Sequence, residues 1–277
     1  MTSKTDHLPP AREAHEAHEP HAPHEPPAGV PSTDSGRARR IERVRFELRR
    51  RDVRVVRVQR LSPGFVSVTF ADESLRDFAS LSFDDHVKFM LQDADGQWVR
   101  RDYTPLHHDA ARGELTIEFA LHAHGPASDW ARQAAPGQMA ALGGPRGSMV
   151  VPLDFDWHLL AGDASALPAI ARRLGELPGG ARAIVLVEVA DAADRRAFDT
   201  RADVQLQWVP DGPAWLRALR ELRLPAGEGF AWCAGQAQVM RLARETLMAH
   251  HGHPREQLKV AAYWKPGAAD FHERLDD

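Results

Sequence analysis

The chain has 277 residues, 43% of them hydrophobic and 27% charged, a balance ordinary for a globular protein with room for one large domain or two modest ones. Its net charge of −4 resides in the first 35 residues, where Lys4 and Arg12 face Asp6, Glu13, Glu16, Glu19, Glu25 and Asp34, and the remaining 33 basic and 33 acidic residues cancel. A neutral body argues against a nucleic-acid partner, no apolar run reaches a membrane span or a signal-peptide core, and the single Cys233 excludes an internal disulfide or a Cys-rich metal site.

The cytoplasm is therefore the expected compartment. The basic run from Arg37 to Arg54 is no nucleic-acid footprint either, because Glu42, Glu47 and Asp52 interrupt it and no aromatic residues interleave for base stacking. Residues 1–36 are rich in Pro, His, Ala and Glu and nearly devoid of large apolar side chains. Such a segment cannot bury enough surface to offset its ordering entropy, so it is expected to be disordered. Its His7, His15, His18, His21 and His24 are irregularly spaced and have no cysteine partner, which favours a solvated tail over a metal site.

Within the domain expected at residues 37–153, the hydrophobic pattern from Arg40 to Pro152 is mostly of period two. Val53, Val55 and Arg57 alternate with Arg54, Val56 and Val58; Val66, Val68 and Phe70 alternate with Ser67 and Thr69; Leu115, Ile117, Phe119 and Leu121 alternate with Thr116, Glu118 and Ala120. His86–Leu91 reads as a further strand. Short strands between Ser-Pro-Gly, Asp-Ala-Asp-Gly and Arg-Gly turns predict an antiparallel β-barrel, interrupted by one helix over 127–134 that Pro136-Gly137 ends.

From 154 to 277 the texture changes to alternating strands and helices. Strands are predicted at 157–161, 181–190, 204–209, 230–234 and 259–264, with helices from Leu167 to Leu177, 213–222 and 237–250. This is an open parallel α/β sheet, a nucleotide-binding type of domain that takes ligands at the carboxyl ends of its strands.

Several segments carry chemistry. Arg101-Asp102-Tyr103-Thr104-Pro105 closes a strand and offers a cation for a phosphate, a ring to pack on an isoalloxazine and a hydroxyl for its N5 edge; the same residues also suit an edge strand with an exposed Arg and a half-buried Tyr. In Gly125-Pro126-Ala127-Ser128 the glycine permits close backbone approach and Ser128 adds a hydroxyl at a helix start, a plausible pyrophosphate cradle or a plain helix cap. His122, just before it, suits the flavin, its ribose or solvent. Gly143–Met149 reads either as a flexible glycine turn that a flat ring or adenylate approaches, or as a linker between the domains. Gly162-Asp163-Ala164-Ser165 occupies the first strand-to-helix turn of the α/β part, where Asp163 caps the helix and repels a phosphate while Ser165 faces flavin or nicotinamide. Cys233 reads as a buried strand residue, and Lys265 is a cation at the sheet's carboxyl edge that attracts an anionic ligand or is merely solvated.

Together, Arg101-x-Tyr103-Thr104, His122-x-x-Gly125-Pro126-Ala127-Ser128-x-Trp130-Ala131, Gly144-Pro145-Arg146-Gly147-Ser148, Gly162-Asp163-x-Ser165-Ala166-Leu167-Pro168, Ala234-Gly235 and Tyr263-Trp264-Lys265 resemble the siderophore-interacting protein family. These are FAD-dependent ferric-siderophore reductases of the ferredoxin-reductase superfamily. Val55–Val58, Leu61-Ser62-Pro63 and Asp85-His86-Val87-Lys88 fit the same pattern, and the resemblance spans about residues 45 to 267.

It implies an FAD-binding β-barrel followed by a ferredoxin-reductase-like nucleotide-binding domain with a C-terminal substrate-binding segment. FAD falls to Arg101, Tyr103, Thr104, His122, Gly125, Pro126, Ala127, Ser128 and Ser165, and the anionic ferric-siderophore to Lys265. Electrons from NADH, NADPH or a ferredoxin pass through the flavin to Fe(III), with no acid–base residue required. Leu106, Ala164 and Gln236 replace an Arg, a Glu and a Glu usual in the family, which bears on the pocket rim and on nicotinamide handling or partner docking more than on FAD. A flavin reductase with a quinone or protein acceptor, or a non-catalytic siderophore-binding protein, are the alternatives.

Overall fold

The computed structural model describes residues 41–92, 96–122, 125–268 and 273–274. The tail at 1–36 and its five histidines lie outside them. Nine strands and one helix make up the first part of the described chain: β1 (Glu42–Arg45), β2 (Arg50–Ser62), β3 (Phe65–Ala71), β4 (Val87–Gln92), β5 (Trp98–Tyr103), β6 (Pro105–Asp109), β7 (Glu114–Ala120), α1 (Pro126–Arg132), β8 (Met139–Gly143) and β9 (Gly147–Val150). Seven of the strands form one antiparallel sheet in the order β5-β4-β8-β2-β3-β7-β6, and β1 pairs separately with β9. Alternate residues face a core of Val53, Val55, Val68, Phe70, Phe89, Ile117 and Phe119, as a curved sheet with one buried face requires.

The alternation read along β2 holds only to Val55. A register shift between Val55 and Arg57 inserts an extra residue, so Arg57 is turned to solvent and Val58 packs against the core. A β-bulge of this kind bends the strand and is invisible to strict period-two reading.

The parallel part follows the predicted order: β10 (Trp157–Asp163), α2 (Leu167–Glu176), β11 (Arg182–Glu188), β12 (Asp203–Val209), α3 (Gly212–Glu221), β13 (Gly229–Gln236), α4 (Ala237–Glu245), β14 (Leu258–Trp264) and the short β15 (Glu273–Arg274). The sheet order is β12-β11-β10-β13-β14-β15, parallel except for the last pair. Apolar layers cover both faces, one with α2 and one with α3 and α4, which is why β11 reads as a continuous hydrophobic run. The helix expected to reach His250 widens after Glu245 into a π-turn over Thr246–His250. This keeps Leu247 buried while the ring nitrogens of His250 and His251 meet the carbonyls of Arg220 and Leu219 at 3.1 and 2.8 Å.

The two sheets are locked by charged side chains. Asp84, in the loop before β4, is buried and pairs with Lys259 of β14. The same carboxylate accepts from Trp232 Nε1 at 2.9 Å and Tyr263 OH at 3.2 Å. Arg172 of α2 donates to Ser80 Oγ at 2.7 Å and to Pro105 O at 2.8 Å, Arg196 pairs with Glu118 at 2.6 Å, and Asp194 accepts from Ser62 Oγ at 2.6 Å and Gly64 N at 2.8 Å. Arg173 donates to the carbonyls of Val151 and Pro152 and covers Phe83 at 5.0 Å; burial lowers its pKa to about 10.

Breaking a buried ion pair strands one charge, whereas removing both removes the desolvation cost as well. Lys259→Met is therefore expected to destabilise the protein by about 3 kcal/mol, and Asp84→Asn combined with Lys259→Met by less than the single change. Urea unfolding of the parent and the two variants measures this, and a double variant no more stable than Lys259→Met would contradict it.

Candidate functional site

A cleft of about 270 Å³ opens where the antiparallel sheet meets the carboxyl edge of the parallel one. All nine residues that the sequence assigned to a flavin line it: Arg101, Tyr103 and Thr104 from the end of β5, His122, Gly125, Pro126, Ala127 and Ser128 around the start of α1, and Ser165 beyond β10. Separate chain segments from both sheets thus meet at one place.

Tyr103 serves both readings of its segment. Its ring packs on Phe119 at 4.3 Å and edge-on to Phe89 at 5.9 Å, so it belongs to the core while also lining the cleft. Burial raises its pKa against the opposing charge of Arg101, which keeps the phenol neutral. Thr104 is buried apart from its face on the cleft. Arg101 donates to the carbonyl of Arg100 at 2.6 Å.

Gly125 has φ +146, a backbone region that side chains rarely adopt, and a Cβ built there meets nothing within 4 Å. The glycine thus leaves backbone open to the cleft. Ser128 Oγ accepts from His122 N at 3.1 Å, which ties the two sides of that turn together and leaves the hydroxyl proton available. An arginine, an aromatic ring, two hydroxyls and an uncovered glycine backbone fit a flavin nucleotide: a phosphate needs the cation and donors, and the isoalloxazine needs a flat apolar neighbour with a few polar contacts. The volume is near the lower end of ligand pockets, about 300 Å³, as suits a ligand lying along an open cleft.

Ser165 is more constrained than its sequence suggests. Its hydroxyl donates to Asp163 Oδ1 at 2.5 Å and its N–H to the same oxygen at 2.9 Å, so toward a ligand it presents an oxygen acceptor. Asp163 Oδ2 takes the Gln236 N–H at 2.9 Å and the Trp264 indole N–H at 2.8 Å. Asp163 is thereby the tie between β10, β13 and β14 in addition to a cap. Gln236 caps α4 through Val239 N at 2.9 Å.

Other cleft residues were given no role in the site from sequence. Lys88 and Asp102 face each other across β4 and β5 at 2.8 Å, Glu118 carries its ion pair with Arg196, and Tyr263 and Trp264 form the wall from β14. Aromatic residues at the carboxyl end of the last parallel strand are the sequence signal for the latter two. Lys265 is exposed next to Trp264 and lines neither this cleft nor its neighbour.

That neighbour is a second cavity of about 280 Å³, lined by Arg43, Arg45, His86, Arg146 and Ser148 and sharing His86 and Tyr263 with the cleft. The glycine segment 143–149 is consequently not a flexible turn. It ends β8 and forms β9, and a Cβ on Gly147 would lie 2.3 Å from Val44 O, so the close approach this glycine permits is that of β1. Ser148 Oγ donates to Asp85 at 2.5 Å. Cys233 is buried and burial pushes its thiol up to about 12, as expected for a strand residue. Among the described residues no group of three or more His, Cys, Asp or Glu side chains could hold a metal, and no helix is long and apolar enough to cross a membrane.

Residues 155–267 match the family described as Siderophore-interacting protein, and residues 54–100 and 92–149 match the Siderophore-interacting FAD-binding domain. The NADPH-dependent ferric-chelate reductase of Escherichia coli is 35% identical over 245 residues, covering 80% of this chain and 96% of that one. Ferric vibriobactin reductase ViuB of Vibrio cholerae is 29% identical over 246 residues, covering 79% and 91%. The crystal structure of a siderophore utilization protein from T. fusca superposes with a TM-score of 0.77 at 32% identity, covering 83% of this chain and 98% of its own.

The Asp85 carboxyl beneath the second cavity accepts from Ser148, Ser80 Oγ at 2.8 Å and Ser82 N at 3.2 Å, yet its pKa is raised because burial outweighs these bonds. A raised folded pKa gives stability that is present at low pH and is lost as pH climbs through that pKa. The stability of Asp85→Asn relative to the parent is therefore expected to rise as the pH climbs above the ordinary carboxylate range, measured by urea unfolding at each pH. A flat difference would mean that Asp85 titrates normally.

Proposed function

The chain belongs to the siderophore-interacting protein family, and on that premise we propose that it is an FAD-dependent oxidoreductase that releases iron by reducing Fe(III) to Fe(II) in a ferric siderophore. The observation that carries this reading is the meeting of nine flavin-type residues in one cleft. When bound, FAD supplies the conversion of a two-electron donor into single-electron steps.

The residues of this chain hold and orient. Arg101 neutralises a phosphate, Gly125, Pro126 and Ala127 keep backbone open to the pyrophosphate, and Ser128 donates to it. Tyr103 supports the ring system from the core side, Thr104 donates to its polar edge, His122 contacts the flavin or its ribose, and the Ser165 oxygen accepts from the nearer ring or amide. Tyr263 and Trp264 cover the opposite wall and limit water.

Ferric iron is the substrate, held in the siderophore by hard oxygen donors that bind Fe(II) more weakly, so reduction frees the metal. An anionic ferric siderophore is attracted by Lys265, exposed beside Trp264, and by Arg45 and Arg146 in the adjoining cavity. The electrons come from NADPH or NADH, as the name of the E. coli relative supports for the former, with a ferredoxin as the other donor class. The chain works in the cytoplasm, with a tail at 1–36, an FAD-binding domain at 37–153 and a nucleotide-binding domain at 154–277 that ends in the substrate-binding segment.

Purified protein is expected to be yellow, to be bleached by an anaerobic reductant and to recover its colour with a ferric siderophore while a ferrous chelator traps Fe(II). Recovery only with quinones, or a colourless protein that takes up no flavin, would reject the reading. Arg101→Ala should weaken FAD binding about tenfold or more, the scale of one charge-assisted hydrogen bond, as measured by flavin retained after gel filtration.

A further inference from the structure

The parallel sheet runs outward from β10 through β11 to β12, then returns to add β13 and β14 on the other side. In open α/β sheets the crevice at such a reversal takes nucleotides, at the carboxyl ends of the strands. Here the reversal falls between β10, which ends at Asp163, and β13, which ends at Gln236. Ser165, beside it, also lines the flavin cleft. A dinucleotide with its nicotinamide at that end extends its adenylate half toward β11. The carboxyl end of this second strand is where an acidic side chain accepts from a ribose diol, or a basic one accommodates a 2′-phosphate.

Glu188 holds that position as the last residue of β11, in register with Asp163 of β10 and Val209 of β12. It is half-buried, and among the described residues its carboxylate enters no hydrogen bond or ion pair. Its acidic neighbours are already engaged. Asp163 accepts four hydrogen bonds, and Asp211 caps α3 through Ala214 N at 2.7 Å. Of these three carboxylates, Glu188 alone has neither oxygen in a hydrogen bond among the described residues. Burial and the charges of Asp163 and Asp211 raise its pKa, so the local field is negative and opposes a phosphate.

We propose that Glu188 selects the electron donor, accepting hydrogen bonds from the adenosine ribose hydroxyls of NADH and, with Asp211, repelling the 2′-phosphate of NADPH. This rests on the reading of the chain as a dinucleotide-fed flavin reductase, and it separates the chain from the NADPH dependence named for its E. coli relative.

Titration calorimetry of the flavin-loaded full chain with ADP-ribose and with 2′-phospho-ADP-ribose tests it without turnover. ADP-ribose should bind at least about tenfold more tightly, the scale of one charge-assisted hydrogen bond. Glu188→Gln should bring the two affinities within about threefold, and Glu188→Arg should reverse the order, since a guanidinium pairs with phosphate. The KM ratio of NADH to NADPH should move with the binding ratio. Equal or tighter binding of the 2′-phosphate by the parent protein, an unchanged ratio in Glu188→Gln, or no binding of either ligand each overturns the assignment. The parent comparison needs no variant to fold. Reoxidation of dithionite-reduced flavin by a ferric siderophore needs no dinucleotide, so its success beside a failed titration rejects Glu188 alone, and its failure rejects the reductase reading.

Discussion

The buried pair of Asp84 and Lys259 is the constraint on which the cleft depends. Asp84 comes from a loop of the antiparallel part, and Lys259 from the fifth strand of the parallel sheet. Neither charge is tolerable alone in a dry interface, so the two sheets are held in the one arrangement that brings the charges together. Trp232 and Tyr263 satisfy the rest of the carboxylate. Tyr263 then stands with one side on the flavin cleft and the other on the arginine-lined cavity. The ion pair adds little net stability compared with an apolar contact of the same size; its value is geometric, because it fixes where the wall between the two cavities lies.

The remaining interface bonds have the same character. Arg172, Arg173, Arg196 and Asp194 each reach from the parallel part to backbone or acidic groups of the antiparallel part. A greasy interface would tolerate sliding, whereas directional bonds to fixed carbonyls do not. A site assembled from separate chain segments needs that rigidity, since a flavin-type ligand is oriented only if the segments keep their spacing.

Much of this was legible in the sequence because the signals were local. Period-two runs marked the barrel strands, alternating strand and helix patterns marked the parallel sheet, and the flavin residues came as short motifs whose members sit on adjacent loops. What escaped was set by tertiary pairing. The bulge after Val55 has no signature in the alternation of Val and Arg around it. The segment at 143–149 carries glycines that suit a ligand as well as a neighbouring strand, and only the pairing of β1 with β9 decides that Gly147 serves the latter. Lys88 and Asp102 are distant in sequence and become partners only through strand register. Tyr103 was open between core and site because both descriptions are true of it.

Carboxylates give the sharpest distinction between groups that hold the fold and groups that face a ligand. Asp84 has a counter-charge and two further donors, Asp163 has four donors, and Asp85 has three. Each is held by donors of its own chain, as a buried acceptor must be. Asp163 therefore ties three strand ends together as well as capping the turn that follows β10. Glu188 is the contrast: it lies at the same edge, in register with Asp163, half-buried and with no such donor among the described residues. Keeping an unsatisfied carboxylate beside two others costs stability, which folding alone gives no reason to retain. A ligand that brings hydroxyl donors to that edge removes the cost, and one that brings a phosphate increases it. The sheet edge thus discriminates between donors by the Glu188 carboxylate, which enters no hydrogen bond among the described residues.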